Sequence, residues 1–323
     1  MSDGSKMPGS RLQPTAASGL APEDLSGISG GGSRETNITI SAYGLTDQGR
    51  VRLNNEDNLS ACDLSRQDIF AGPFELERRL GPWGLLFLVA DGMGGQACGE
   101  MASQMCSELL PGTLLRSVRK CQKVDRDELW KLMIRAFQET NRSILEVSHA
   151  QPECQGMGTT ATVAVVCGSF LLVAQVGDSR AYLVRNGQLV QLTRDQTFLN
   201  YLIEIGAVDA SVEAAGDPRR SILIQAVGTA DNLNVAVTGA PLCQGDRLLL
   251  ASDGLYSMVP APQILRLAAD GSEMATCCRS LAGAANDAGG SDNITVILAE
   301  VSGGLPPPNP GTLVEVEMLS PKS

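Results

Sequence analysis

The chain has 323 residues, with 36 acidic against 25 basic side chains and a formal net charge of -11. That length is ample for a buried core, and the excess of acid excludes nonspecific nucleic-acid binding, which needs Lys and Arg to neutralise phosphates. The same charge disfavours an anionic membrane surface, and an acidic protein that handles phosphate needs metal ions to reverse its local field.

Residues 1–36 are rich in Gly, Ser and Pro without a hydrophobic period, and are expected to form a flexible tail rather than a signal peptide. The longest apolar runs, such as Leu85–Ala90, are strand-sized, so no membrane-spanning helix is expected. The nine cysteines are odd in number, irregularly spaced and free of Cys-x-x-Cys pairs, which predicts reduced, buried thiols in a cytoplasmic protein, not disulfides or zinc. Cys98, beside a glycine turn, is either one more packed thiol or a redox-sensitive one.

A single domain is expected over 37–302. "TNITISAYGLTD" alternates as a half-buried strand does, and "LLFLVADG" reads as a core strand. The segment 61–84 is either an extended hairpin or a partner contact. A helix is expected after Gly99. A second begins at "DRDELWKLMIRAFQETNRSILEV", with Asp125 and Glu128 as its N-terminal cap. "TTATVAVVC" and "FLLVAQV" are strands, and Asn186-Gly187 between alternating runs predicts a type I′ hairpin. Phe198, Leu199, Leu202 and Ile205 predict a short helix ending at Gly206. Two more helices fall at Pro262–Ala269 and Glu273–Asp287, around the strands "LLLASDG" and "NITVILAEV". Runs of strands with paired helices predict an α+β fold of face-to-face antiparallel sheets with helices outside. Residues 303–323 form a Pro-rich tail whose "TLVEVEML" lies on the domain or meets a partner.

The single histidine, His149, sits near a predicted helix end beside Pro152 and is poor material for a Ser-His-Asp triad. Neither a phosphate-binding Gly-Lys-Ser/Thr loop nor a calcium loop occurs. What recurs is a carboxylate at a strand edge. "LLFLVADG" and "LLLASDG" each run an apolar strand into Asp91 or Asp253 followed by glycine, and "GGSDNITVILAEV" mirrors them with Asp292. "RVRLNNEDN" adds Arg52, Glu56 and Asp57. A lone Asp-Gly is usually a turn. Several at strand ends in one acidic domain would repel unless cations intervene, and oxygen ligands without His or Cys select Mg²⁺ or Mn²⁺.

The blocks "TDQGRVRLNNEDN", "VADGMGG", "GMGTTATVAVV", "VGDSRAYLVRNGQLVQLTRDQTF", "DPRRSILIQAVG", "LLLASDGLYSMV" and "GGSDNITVILAEV" run in order across Ile38 to Val301. With them the chain resembles the metal-dependent protein serine/threonine phosphatases, the PPM or type 2C family, in its bacterial branch. The resemblance implies a four-layer α-β-β-α sandwich with metals at one end. By position, Asp91 would bridge two Mn²⁺ or Mg²⁺ ions. Glu56 and the Gly92 carbonyl would complete one, and Asp253 and Asp292 the other. Asp57 would act through a neighbour or a water, and Arg52 would grip the substrate phosphate. Asp178 in "GDSR" would order the neighbouring strands. A water held between the two ions would attack phosphorus directly, with no covalent phosphoenzyme.

Three departures matter. Met93 stands where some relatives carry a histidine, so water or a metal-bound water would have to protonate the leaving group. Ser257 and Glu153 stand where many bacterial members carry third-metal aspartates, so a third ion is expected to bind weakly or not at all. The segment "LTRDQTFLNYLIEIGAVDASVEAAGDPRRS" corresponds to a flap beside the site, where Arg219-Arg220 either receives acidic phosphopeptides or is simply solvated. The implied partners are phosphorylated proteins and a cognate Ser/Thr kinase, with the chain a monomer. The rival reading is a weak or inactive relative that binds phosphoproteins in signalling.

Overall fold

The structure, a computed structural model, describes residues 37–94, 97–121, 124–209, 217–311 and 313–320. The expected N-terminal tail, Gly95 of the glycine turn and residues 210–216 of the flap therefore lie outside the described residues.

Two antiparallel sheets stack face to face. One sheet takes β1 (Ile38–Asp47), β4 (Phe74–Arg79), β9 (Arg180–Arg185), β10 (Gln188–Gln191), β12 (Arg247–Ala251) and β13 (Ile294–Gly303), in the order β10-β9-β12-β13-β1-β4. The other takes β2 (Asp57–Asp63), β3 (Asp68–Ala71), β5 (Leu85–Met93), β7 (Ala161–Cys167), β8 (Phe170–Val176), β11 (Ala236–Pro241) and β14 (Glu317–Leu319), in the order β14-β11-β8-β7-β5-β2-β3. A two-residue strand, β6 (Gly158–Thr159), pairs with the end of β5.

The period-two alternation of the strands sorts their side chains into separate cores. Along β5, Leu85, Phe87 and Val89 enter the core between the sheets with Ile40, Leu183 and Ile297. Their neighbours Leu86, Leu88 and Ala90 face the opposite way, against α1 (Cys98–Lys120) and α2 (Arg126–Ala150) through Leu110, Leu114, Met133 and Phe137. On the far side, Leu249, Val296 and Leu298 pack under α5 (Ala261–Ala268) and α6 (Met274–Asp287) through Ile264, Cys278 and Leu281. Three cores thus separate four layers, as expected. Burying a side chain such as Phe87 contributes roughly 2–3 kcal/mol. Asp125 caps α2 as predicted, its carboxylate accepting from the Glu128 amide at 2.9 Å, an arrangement that contributes about 1 kcal/mol. Asn186 and Gly187 take φ of 51° and 71° and close the β9–β10 hairpin as a type I′ turn requires.

Three features differ from or sharpen the sequence reading. First, the thiols are not all reduced: Cys98 and Cys154 form a disulfide, and the other seven cysteines are free. Spacing gave no sign of it, because the two residues meet only when α1 and α2 fold back on each other. Second, 61–84 is not one hairpin. β3 pairs with β2, then the chain crosses to the other sheet, where β4 pairs with β1. Third, Glu317–Leu319 of the apolar C-terminal stretch lies on the domain, as strand β14 along β11.

Candidate active site

The strand ends deliver the expected acids to one end of the sandwich. β2 and β5 pair with Asp57 directly opposite Asp91. Asp91 is pinned by its own backbone: its amide donates to Thr160 Oγ1 at 3.0 Å, and its carbonyl accepts from the Thr160 amide at 2.8 Å and Thr159 Oγ1 at 3.0 Å. Asp253 opens the short helix α4 (Asp253–Tyr256), directly after β12. Asp292 precedes β13, and its Oδ1 accepts from the Asn293 amide at 2.9 Å.

Glycine is required where backbones cross. A Cβ on Gly92 would lie 2.1 Å from the Gly99 carbonyl oxygen, and one on Gly99 would lie 2.4 Å from Glu56 Oε2. The Gly92 amide donates to the Glu56 carbonyl at 3.1 Å, so the Asp91-Gly92 turn and Glu56 are locked together.

The electrostatics are those of carboxylates gathered out of water. Burial, then the nearby charges of Asp57, Asp253, Asp178 and Asp292, holds Asp91 well above the usual carboxylate range. Burial pushes Asp57 up to about 7, although hydrogen bonds from the Ser252 and Thr295 hydroxyls pull the other way. Burial and then Asp292 push Asp253 up to about 6, and burial with Asp253 and Asp195 pushes Asp178 up to about 8. Arg52 places Nη2 2.7 Å from Asp292 Oδ2. That hydrogen bond, with the fields of Asp292, Asp91 and Glu56, holds the guanidinium charged.

Among the described residues, no three carboxylates, thiols or imidazoles already converge as a ligand cage. The donor set nevertheless fits a hard divalent cation. It is all oxygen, it is self-repelling, and Asp57, only 4% exposed, keeps one oxygen, Oδ1, buried without a hydrogen-bond partner.

Asp178, 7% exposed, lines a cavity of about 170 Å³ with Asp253, Ser257, Arg180, Arg220 and Tyr256. Its carbonyl accepts from the Tyr256 hydroxyl at 3.0 Å. Ser257 lines this cavity with Asp178 and Asp253, whereas Glu153 is exposed on the 3₁₀ turn Pro152–Cys154 and does not line it. In the flap, α3 (Phe198–Glu204) is the short helix expected, and Gly206 follows with φ of 71°. The basic pair divides: Arg219 is held by Asp217 at 2.6 Å, while Arg220 faces the cavity. His149 is exposed at the end of α2, outside the acidic cluster.

Sequence reasoning missed the uncharged residues that set the acids in place. Asn293 donates to the carbonyls of Gln48 and Asn54, each at 2.9 Å, and accepts from the Glu56 amide at 2.8 Å. Ser252 donates to Asp57 Oδ2 at 2.7 Å and accepts from the Thr295 amide at 2.9 Å. Their only signal was adjacency: each sits next to a strand-edge aspartate.

Known proteins share this arrangement of sheets and helices. The protein phosphatase 2C family profile matches residues 50–200. The serine/threonine phosphatase stp of Listeria monocytogenes is 34% identical over 255 residues, spanning 79% of this chain and 93% of the relative. The crystal structure of the Mycobacterium tuberculosis serine/threonine phosphatase PstP/Ppp has a TM-score of 0.66 at 32% identity, covering 82% of this chain and 99% of that one. The catalytic domain of PstP in complex with two manganese ions has a TM-score of 0.63 at 31% identity, with the same coverage. Fold and sequence thus match the bacterial serine/threonine phosphatases. The chain belongs to the protein phosphatase 2C family.

Proposed function

We propose that the chain hydrolyses phosphoserine and phosphothreonine in protein substrates with two divalent cations, Mn²⁺ or Mg²⁺. Glu56, Asp91 and the Gly92 carbonyl would hold one, and Asp91, Asp253 and Asp292 the other. The observation that carries this reading is the state of Asp91. Three hydrogen bonds fix the Asp91 backbone, and its half-buried carboxylate, raised by desolvation and by four other acids, is stabilised as an anion when cations lie beside it. When bound, such ions lower the pKa of a water between them and offset charge on the transferring phosphoryl group.

The chain's own residues do the positioning. Arg52, 54% exposed in its side chain, can leave Asp292 and present a bidentate fork to the substrate phosphate. Arg220 at the cavity rim adds positive charge on the flap side. Asp57 acts through Ser252, tying the end of β12 to β2. Met93 is exposed and carries no proton to give, so the leaving alkoxide takes its proton from solvent.

The reading is of a two-ion site. Ser257 offers a hydroxyl in place of a carboxylate beside Asp178 and Asp253, and Glu153 lies apart from them. It further takes the substrates to be products of a cognate Ser/Thr kinase, and the chain to act as a monomer in the cytoplasm.

The test is phosphate release from a phosphothreonine peptide. Release is expected to require Mn²⁺, to stop with EDTA, and to fall about a thousandfold in Asp91→Ala, which corresponds to roughly 4 kcal/mol of barrier. A wild-type protein that binds Mn²⁺ and the phosphopeptide but releases nothing would instead support the inactive phosphoprotein-binding module. Calorimetry resolving three strong Mn²⁺ sites would overturn the two-ion assignment.

A further inference from the structure

The Cys98–Cys154 disulfide has a particular place in the fold. Cys98 is the first residue of α1, following the glycine turn that begins at Asp91. Cys154 ends the 3₁₀ turn after α2, and the chain then runs through Met157 and β6 to Thr160. β6 pairs with the end of β5, Gly92 opposite Thr159 and Met93 opposite Gly158. A Cβ on Gly94 would lie 2.8 Å from Met157 Cα, so the two segments touch beyond the ladder as well. Thr159 and Thr160 in turn hold the Asp91 backbone. The disulfide therefore closes a ring: from Asp91 along the turn to Cys98, across to Cys154, and back through β6 to Asp91. Opening it frees one wall of the turn that carries Asp91 and Gly92, and leaves the other wall attached.

We propose that Cys98 and Cys154 are a reversible redox site, and that their oxidation state sets the affinity of the Asp91-Gly92 turn for divalent cations. This rests on the reading of Asp91 as a metal ligand. The oxidised pair holds the turn in its binding geometry; the reduced pair populates other turn geometries, and the apparent affinity falls by the fraction lost.

Four of the seven free thiols are poor competitors for this chemistry. Burial pushes Cys62, Cys106 and Cys278 up to about 12 and Cys167 up to about 11, where the reactive thiolate is scarce. Cys98 sits in the first turn of a helix, where backbone N–H groups stabilise a thiolate. The disulfide sulfurs are shielded, Cys98 being 7% and Cys154 2% exposed, yet their neighbours Ala97, Glu100, Glu153 and Gln155 are exposed, so a local opening admits a small reagent.

The exchange balances with a low-molecular-weight disulfide as oxidant. The Cys98 thiolate attacks one sulfur of the reagent and expels one thiolate. The Cys154 thiolate then attacks the mixed disulfide at Cys98 and expels the second. Two protein thiols become one disulfide, and the two electrons and two protons leave on two reagent thiols.

The experiment equilibrates wild-type protein in glutathione/glutathione disulfide buffers, maps the Cys98–Cys154 peptide by mass spectrometry, and titrates each form with Mn²⁺ by calorimetry. The oxidised form is expected to bind Mn²⁺ about tenfold more tightly than the reduced form. A folded Cys98→Ala/Cys154→Ala double variant should match the reduced form in any buffer, and Asp91→Ala should abolish the tight site in both states. A pair that stays reduced against excess glutathione disulfide overturns the proposal. So does equal Mn²⁺ affinity in the two forms, which leaves the metal assignment standing. Tight binding retained by Asp91→Ala overturns that assignment and this inference with it.

Discussion

Asp57 and Asp91 face each other across β2 and β5 in direct register, two carboxylates where an antiparallel ladder would ordinarily pair neutral or opposite charges. Burial raises both, Asp57 to about 7 and Asp91 well above the usual carboxylate range. Asp253 and Asp178 are raised as well, to about 6 and about 8.

A pH dependence follows for the metal-free protein. Asp57, Asp253 and Asp178 titrate near pH 4 when the chain is unfolded and near pH 6–8 when it is folded, and Asp91 is shifted in the same direction. Between those limits the folded state holds more protons, so stability falls as pH rises and is greatest below about pH 4–5 as far as these groups are concerned. In EDTA the melting temperature should drop steadily from pH 5.5 to pH 8, and saturating Mn²⁺ should restore it most at the alkaline end. A flat profile in EDTA would show that the acids are not buried together.

Asn293 fixes three segments with one amide group: Gln48, Asn54 and Glu56. Asn293→Ala removes all three bonds, while Asn293→Asp keeps an acceptor but loses both donors and adds a charge to an acidic cluster. Each is expected to weaken Mn²⁺ binding about 10–100-fold, as loss of a ligand-orienting partner does. The Asp variant should fare worse in metal-free buffer at pH 8 than at pH 5.5. Calorimetric titration beside thermal melts separates the two effects.

Far from the acids, Arg185 at the end of β9 grips Asp246 before β12, at 2.7 Å and 2.5 Å, with side chains 8% and 0% exposed. Asp246 Oδ2 also accepts from the Cys243 amide at 2.7 Å. Asp246→Ala should destabilise the fold by about 3–5 kcal/mol, because it strands a buried guanidinium. Urea denaturation of the metal-loaded protein is the measurement, and a loss below about 1 kcal/mol would contradict the pairing.

The chain wrote its main site features in a readable way because they depend on short-range pattern. An apolar run ending in Asp-Gly is a buried strand delivering a carboxylate, and two such ends, with the mirrored Asp292 just before its strand, gave Asp91, Asp253 and Asp292 their setting before any fold was known. Helix caps and the Asn186-Gly187 hairpin are local in the same sense. The features that escaped are relations between distant residues whose types carry no periodic signal. Cys98 meets Cys154 only because α1 and α2 return side by side. Ser252, Asn293 and Thr295 are common strand-edge residues, told apart from any other by their partners. The switch of sheet between β3 and β4 was hidden because β3 is only four residues long and carries no clear alternation to tell which sheet it joins. The pairing of Arg52 with Asp292, 240 residues apart, is another such relation.

β14 gives the eight-stranded sheet a finished margin. A row of unpaired amides and carbonyls along β11 would invite a strand from another chain, and three residues from the far end of the sequence take that position first. Arg126, at the start of α2, anchors them through Glu317 at 3.0 Å and stacks over Phe170 on β8. The apolar stretch expected to lie on the domain or meet a partner works as a selvage, keeping the fabric of the sheet from fraying into its neighbours.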